Sequence, residues 1–276
     1  MQRAELRILM TLFYLLLIAA IQGVTEFLPI SSSGHLALLP QLSGQTDQGL
    51  ALDVAVHVGS LAAVILYFRQ DVALAFRGLG RLMRGHVDTQ GAFLALCLLI
   101  SCIPVVIVGL VLHLTGLSEM LRSVAVIGWA MLGFGLVLYW ADKTGTTERN
   151  AARWTLRDAT VMGLAQVLAL IPGTSRSGIT ITAARKLGYD REGAARLSML
   201  MSIPTIAASG ILLGADVILN TDWQVARLGM IAALFSFATA FGALALMMRL
   251  LRSVSFTPYV IYRVIFGVFL LVIAYS

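Results

Sequence analysis

The sequence predicts an all-α polytopic membrane protein: six full transmembrane helices plus two opposed re-entrant helical hairpins in an inverted-topology repeat. Three observations carry this reading. The 276 residues are 59% hydrophobic and only 12% charged, with mean hydropathy +0.89, where a soluble domain is about 45–50% apolar and about 25% charged. The apolar runs come in two lengths. Two short runs lead into polar turns that resemble each other.

A bilayer core takes about 20 mostly apolar residues per helix, and runs of about 10–14 suggest segments that enter and return. Full spans are expected over 50–68, 93–113, 124–141, 197–215, 228–248 and 256–275. The runs 8–21 and 159–171 are too short. Each opens a Gly/Ser/Pro-rich turn followed by another short, mildly apolar segment. At the N-terminus, Arg3 and Arg7 before an apolar stretch imitate a secretion signal, but Glu5 and the lack of a small-x-small site argue against cleavage.

The two turns align without a gap. "QGVTEFLPISSSGH" (22–35) set over "QVLALIPGTSRSGI" (166–179) puts Gln22 on Gln166, Ser31 on Ser175, Ser33 on Ser177 and Gly34 on Gly178. Ser32 falls on Arg176, Glu26 on Leu170 and His35 on Ile179. One hairpin and three spans, twice over, make a single membrane domain, 1–276, with 1–142 as the first repeat and 143–276 as the second. An odd number of spans inverts the second half. Such repeats place their site near the midplane, where broken helices meet, and irregular backbone there has to be buried in protein or line a wet cavity.

The net charge of +6 is mostly arginine, with Lys143 and Lys186 the only lysines. No basic-aromatic patch accompanies it, so it reads as membrane orientation, not nucleic-acid binding. Arg69, Arg77, Arg81, Arg84, the basic residues from Lys143 to Arg196 apart from Arg176, and Arg249 and Arg252 fall on one side. Arg3, Arg7, Arg122 and Arg227 fall on the other. The positive-inside rule then puts both termini and the first hairpin outside. Cys97 and Cys102, within one apolar run, imply neither a disulfide framework nor a metal site.

Glu26 and Arg176 are ionisable residues in apolar surroundings, which are costly there and usually functional. A purely structural pair is the plain alternative. Glu26 could hold Mg²⁺ or Ca²⁺ beside an anionic ligand, and Gln22, one helical turn earlier, offers a carbonyl on the same face. Ser31, Ser32, Ser33 and Gly34 open a helix whose free N–H groups and positive end suit an anion. Gly173, Thr174, Ser175, Ser177 and Gly178 repeat the device, and Arg176 adds a two-pronged phosphate donor. Serine and glycine also serve simply as turn formers and N-caps; the facing pair weakens that reading.

His35 follows Ser32 by three residues, so the two are helical neighbours. Ser32 could attack phosphorus with His35 as base, His35 could attack directly, or it could activate water. His57 and Asp53 open the next span and could face the same cavity from a layer behind the site, His86 and His113 read as loop and interface residues, and Arg263 stands inside the last span.

"QGVTEFLPISSSGH" and "PGTSRSG", together with the ending "FTPYVIYR", closely resemble the signature motifs of the undecaprenyl pyrophosphate phosphatases, the bacitracin-resistance membrane family. The resemblance covers essentially the whole chain. It implies a multi-pass enzyme of the bacterial cytoplasmic (inner) membrane, opening to the periplasmic or extracellular side. The implied reaction removes the terminal phosphate of undecaprenyl pyrophosphate, recycling the carrier for peptidoglycan synthesis and conferring bacitracin resistance. It implies a divalent cation, Mg²⁺ or Ca²⁺, with Gln22 and Glu26 as the (Glu/Gln)-x-x-x-Glu metal pair, where other members carry Glu at the first position. It assigns Ser31, Ser32 and His35 from the first turn, Ser175 and Arg176 from the second, and Arg263 from the last helix. The expected partners are the polyprenyl pyrophosphate and membrane lipid, with a homodimer left open and nucleic acid excluded. A polyprenyl phosphate transporter or flippase is the rival, because inverted repeats and discontinuous helices are its hallmark too. An intramembrane serine protease would leave Glu26 and Arg176 without a task, and neither turn reads G-x-S-x-G.

Overall fold

The computed structural model describes residues 2–43, 49–117, 121, 123–220 and 223–276. Among them it is helical apart from turns and one isolated bridge between Arg149 and Tyr189. The helices are α1 (Gln2–Phe27), α2 (Ser32–Ser43), α3 (Leu50–Tyr67), α4 (Arg69–Leu82), α5 (Gln90–Thr115), α6 (Val124–Thr144), α7 (Leu156–Val167), α8 (Arg176–Lys186), α9 (Arg191–Asn220), α10 (Trp223–Leu250) and α11 (Thr257–Tyr275).

Six of these, α3, α5, α6, α9, α10 and α11, are long and apolar enough to cross a membrane, and each contains or closely matches one expected span. Their ends are set by identifiable chemistry. Thr89 and Ser123 cap α5 and α6 by accepting from Ala92 N and Val126 N. Gly116, at φ 70°, ends α5 in the left-handed conformation that suits a residue without Cβ. The expected boundary between halves, after residue 142, falls in the last turn of α6.

The first short run is where the structure departs most from expectation. α1 is 26 residues long, not a half-length limb over 8–21. The helix runs on past Ile21 to Phe27. A polar opening, "QRAEL", continues the helix because Ala, Glu and Leu are strong helix formers that need no apolar context. α7 does match a short limb, with 12 residues.

α10 packs along both α3 and α1, and α11 packs along α6. In lipid such contacts rest on close approach, not on hydrophobic exclusion. At Gly59 a Cβ would lie 2.1 Å from the carbonyl oxygen of Ala233, so only glycine lets α3 and α10 come this near. The largest core gathers Phe27, Leu138, Met162, Ile181, Leu197, Met199 and Phe256 beneath the two turns. Exposed apolar side chains such as Ile103, Ile107 and Leu114 on α5, and Ile261, Ile265 and Val272 on α11, mark the lipid-facing surface.

One end of the bundle is closed by ion pairs. Asp142, buried at the end of α6, accepts from Arg185 at 3.1 Å and Arg191 at 2.8 Å, and its second oxygen receives Phe256 N at 3.3 Å. One carboxylate thus fastens α6, α8, α9 and α11. Nearby, Asp158 forms a capping box with Thr155 at the start of α7 and accepts from Arg149 and the Tyr189 hydroxyl. Together they fix the two ends of the α7–α8 pair, and so the position of the turn between them.

Candidate active site

The turn between α1 and α2 meets the turn between α7 and α8. Ser177 donates its hydroxyl to Leu28 O at 2.9 Å, and Gly173 N donates to Ser33 Oγ at 3.3 Å. The turns share local geometry at aligned positions. Ser31 and Ser175 are the two non-glycine residues with positive φ among those described, at 72° and 69°. In each turn the serine hydroxyl is 3.1 Å from that of the serine two residues on. Holding serine in the left-handed region costs about 1–3 kcal/mol and persists only where its surroundings over-determine it.

Between the turns lies a cavity of about 160 Å³, lined by Glu26, Ser31, Ser32, Ser33, Ala169, Ser175 and Arg176. Glu26 is its centre. Its Oε1 accepts from Arg176 Nη2 at 2.9 Å. Its Oε2 accepts from Ser32 Oγ at 2.8 Å and from Gln22 Nε2 at 2.9 Å. His57, on α3, places Nε2 3.9 Å from the same oxygen. Its Nδ1–H donates to Asp53 O at 2.7 Å, which leaves Nε2 facing the carboxylate. His57 thus faces the Glu26 carboxylate from the next span.

Two buried atoms here have no partner: Gln22 Oε1 and Arg176 Nη1. A buried polar group left unmade costs about 1–3 kcal/mol, so both are in want of a ligand. Arg176 has one prong on Glu26 and the other ready for an anion. Gln22 and Glu26 supply an amide oxygen and a carboxylate one turn apart, while among the described residues no three His, Cys, Asp or Glu collect as a metal cage. This donor set fits a hard cation that draws its other oxygens from phosphate and water, as Mg²⁺ does.

The structure does not bring His35 to Ser32. The Ser32 hydroxyl is committed to Glu26. The His35 ring turns toward α11, stacks on Phe266 with centroids 4.5 Å apart, and bonds Tyr262 through Nε2. Its Nδ1 is 2.7 Å from Ser31 O. A carbonyl only accepts, so Nδ1 carries the proton and Nε2 takes the Tyr262 hydroxyl. The aromatic face of α11 outcompetes the neighbouring serine. Tyr262 was missed by the sequence reading, although it stands next to Arg263 in the quoted ending.

Arg263 is likewise not a cavity residue. Fully buried, it donates to four carbonyls: Pro29 at 3.3 Å, Gly173 at 3.1 Å, Met131 at 3.1 Å and Ala130 at 3.4 Å. It staples both turns to α6. Gly34 and Gly178 are sites of close packing: a Cβ would lie 2.9 Å from Met131 Sδ at the first and 2.8 Å from Arg263 Nη1 at the second. Gly178 N is already taken by Ser175 Oγ at 3.1 Å, the N-cap of α8. Thr174 is buried away from the cavity with an unpartnered hydroxyl, and Gln166, the partner of Gln22 in the alignment, spends its amide on Ser101 O at 3.3 Å.

The arrangement gathers a carboxylate, a hydroxyl aimed at it, a half-free guanidinium and further serine hydroxyls at one small cavity among apolar helices. That set suits a phosphorylated ligand whose remainder lies in lipid. Residues 15–269 match the family model described as bacitracin resistance protein BacA. The chain is 73% identical to a protein of Roseobacter denitrificans named undecaprenyl-diphosphatase, over 97% of this chain and all of that one. It is 68% identical, with the same coverage, to one of that name from Dinoroseobacter shibae. It is also 46% identical to one from Nitrosococcus oceani, over 95% of this chain and 98% of the relative.

Proposed function

The chain belongs to the bacitracin resistance protein BacA family, and from that premise we propose how its cavity works as the active site of an undecaprenyl-diphosphatase. The protein is a multi-pass membrane hydrolase that converts undecaprenyl pyrophosphate to undecaprenyl phosphate, and so returns the lipid carrier to peptidoglycan synthesis. The observation that carries the site assignment is the Glu26–Arg176 contact, which joins the two turns over a serine-lined cavity.

The terminal phosphate enters between the turns, where its oxygens take the unpartnered Nη1 of Arg176 and compete with Glu26 for Nη2. Ser31, Ser33 and Ser175 hold the remaining oxygens. Ser32 Oγ attacks the terminal phosphorus as its proton passes to Glu26, and the anhydride P–O bond breaks with undecaprenyl phosphate as the leaving group. Water then cleaves the phosphoserine: its oxygen joins phosphorus as the P–Oγ bond breaks, Glu26 returns its proton to Ser32 Oγ, and the protons of the water leave with the inorganic phosphate. A loose transition state spreads charge over the equatorial oxygens, which a planar guanidinium can follow. A divalent cation held by Gln22 and Glu26, Mg²⁺ or Ca²⁺, would neutralise phosphate charge. His35 stays on Tyr262 in this reading and supports the first turn through Ser31.

A flippase would use the same turns without a nucleophile, and the relatives' names do not favour it. The matching left-handed φ values at Ser31 and Ser175, 72° and 69°, support the inverted repeat with two re-entrant hairpins. The arginine asymmetry supports a cytoplasmic membrane location with the cavity opening outward.

The test is phosphate release from a C55 pyrophosphate by the purified protein in detergent, with and without EDTA. Release that stops with EDTA and returns with Mg²⁺ or Ca²⁺ is expected, together with loss of release in Ser32→Ala. Full release by the Ser32→Ala variant would overturn the serine step, and full release after exhaustive chelation would remove the cation.

A further inference from the structure

We propose that α4 is an interfacial helix that grips anionic phospholipid headgroups, with Phe76 inserted at the boundary of the acyl chains and Arg69, Arg77 and Arg84 on the phosphates. This surface is separate from the cavity and from the reaction.

The level of α4 follows from α5. At 26 residues and about 1.5 Å per residue, α5 is about 39 Å long, whereas a bilayer core is about 30 Å. About 9 Å of helix therefore stands outside the core. Exposed apolar side chains on α5 run from Leu99 to Leu114, so the excess lies at the N-terminal end, around Gly91. There α4 crosses α5 in backbone contact. A Cβ at Gly78 would lie 2.0 Å from the carbonyl carbon of Gly91, and one at Gly91 would lie 2.3 Å from Leu74 O. The stretch from Leu74 to Gly78 is thus level with the headgroups.

What α4 presents at that level is neither a water face nor a core face. Phe76 is 76% exposed, and Met83, just past the helix, is 77% exposed. Arg69, Ala73 and Phe76 follow one another at helical spacing and Arg77 is adjacent to Phe76; all four are exposed and share one side of the helix. Arg84, also exposed, follows just past its end. Arg81 is taken by Asp88, whereas Arg69, Arg77 and Arg84 have no partner among the described residues. Water would account for the arginines but not for Phe76. Hydrocarbon would account for Phe76 but not for the arginines. The interface accommodates both: an aromatic ring buries about 5–10 Å into the headgroup zone while basic side chains meet anionic lipid.

The experiment places a nitroxide label at Phe76→Cys, with His86→Cys as aqueous reference and Ile107→Cys as lipid reference. All three sites are exposed; Cys97 and Cys102 are buried, and the parent chain labelled in parallel sets the background. Accessibility to oxygen and to a water-soluble nickel chelate is read in nanodiscs of phosphatidylcholine with and without phosphatidylglycerol. The expected result is a label at 76 shielded from nickel relative to 86 and more so with phosphatidylglycerol. Co-purified phosphatidylglycerol should fall about fivefold per arginine removed across Arg69→Gln, Arg77→Gln and Arg84→Gln, the equivalent of about 1 kcal/mol each. A label at 76 as open to nickel as one at 86 would overturn the membrane contact. Undiminished phosphatidylglycerol in the triple variant would overturn the role of the arginines.

Discussion

Arg176 lies 2.9 Å from Glu26 across 150 positions of chain, and each residue comes from the tip of a different turn. Neither turn could keep its partner buried alone, since a lone buried charge costs several kcal/mol. The pair therefore registers the two turns against each other, and its unsatisfied Nη1 shows that the arginine is not saturated by that role.

Arg176→Lys separates the clamp from a structural ion pair. Lysine keeps the charge and loses the fork. If the guanidinium follows the phosphoryl group, kcat falls about 10²- to 10³-fold, as when a strong transition-state donor is removed, while melting temperature and lipid affinity stay near those of the parent. Turnover close to the parent in Arg176→Lys, with a lowered melting temperature in Arg176→Ala, would leave only the structural pair.

Ser32 and Glu26 share one hydrogen bond, so they are expected to act as a unit. Ser32→Ala and Glu26→Gln should each reduce kcat by about 10²-fold or more, and the double variant should be scarcely worse than the poorer single, because residues that serve one step are not additive. Ser32→Ala combined with His35→Ala should instead multiply, since His35 bonds Tyr262 and Ser31 and not Ser32. Steady-state kinetics of Ser32→Ala, Glu26→Gln, His35→Ala and the two double variants decide it, and additive losses for Ser32 and Glu26 would dissolve the unit.

Much of this was readable from residues alone. Six apolar runs gave six spans because a helix in lipid has to satisfy its own backbone, and two serine-rich turns pointed to the cavity because irregular polar backbone has few other places inside a membrane. The Glu26–Arg176 contact was readable as two buried charges in need of one another. What stayed hidden depends on which of several competent partners wins. His35 had Ser32 one turn away by spacing, yet the aromatic face of α11 holds it. Arg263 stood out as a charge inside the last span, but its four carbonyl contacts have no sequence signal, because carbonyls belong to every residue. The length of α1 was masked by its polar first turn, where hydropathy ends but helix propensity does not.

Asp158 sets a pH limit on the closed end of the bundle. It lies outside the six spans. Burial alone would raise its carboxyl, but hydrogen bonds from Arg149, Thr155 and Tyr189 outweigh that and leave it below the usual range. A lowered folded value means that the carboxylate contributes stability above its unfolded pKa of about 3.9. That contribution is lost as pH falls from there through the folded value. Thermal melting should therefore drop with acid below about pH 4, and Asp158→Asn should be less stable at neutral pH but show a smaller drop. An unchanged acid slope in Asp158→Asn would assign the effect to another group.

Arg263 is expected to act through the turns and not on the substrate. Its five N–H donors reach four carbonyls, two of them on opposite turns and two on α6. Lysine has three donors on a single atom and cannot span that set, so Arg263→Lys leaves at least one buried carbonyl unmet at about 1–3 kcal/mol. The two turns then lose their common anchor, and the distance between Ser32 and Arg176 is no longer fixed. Positional error of this kind lowers kcat, because the reacting groups have to be held within a fraction of an ångström. The expected result is a fall in melting temperature together with a fall in kcat, and KM close to that of the parent. A residue that bound the pyrophosphate directly would behave in the opposite way: Arg263→Lys would keep its melting temperature and raise KM. Measuring both quantities on the same preparation distinguishes the two, and an unchanged melting temperature would return Arg263 to the substrate.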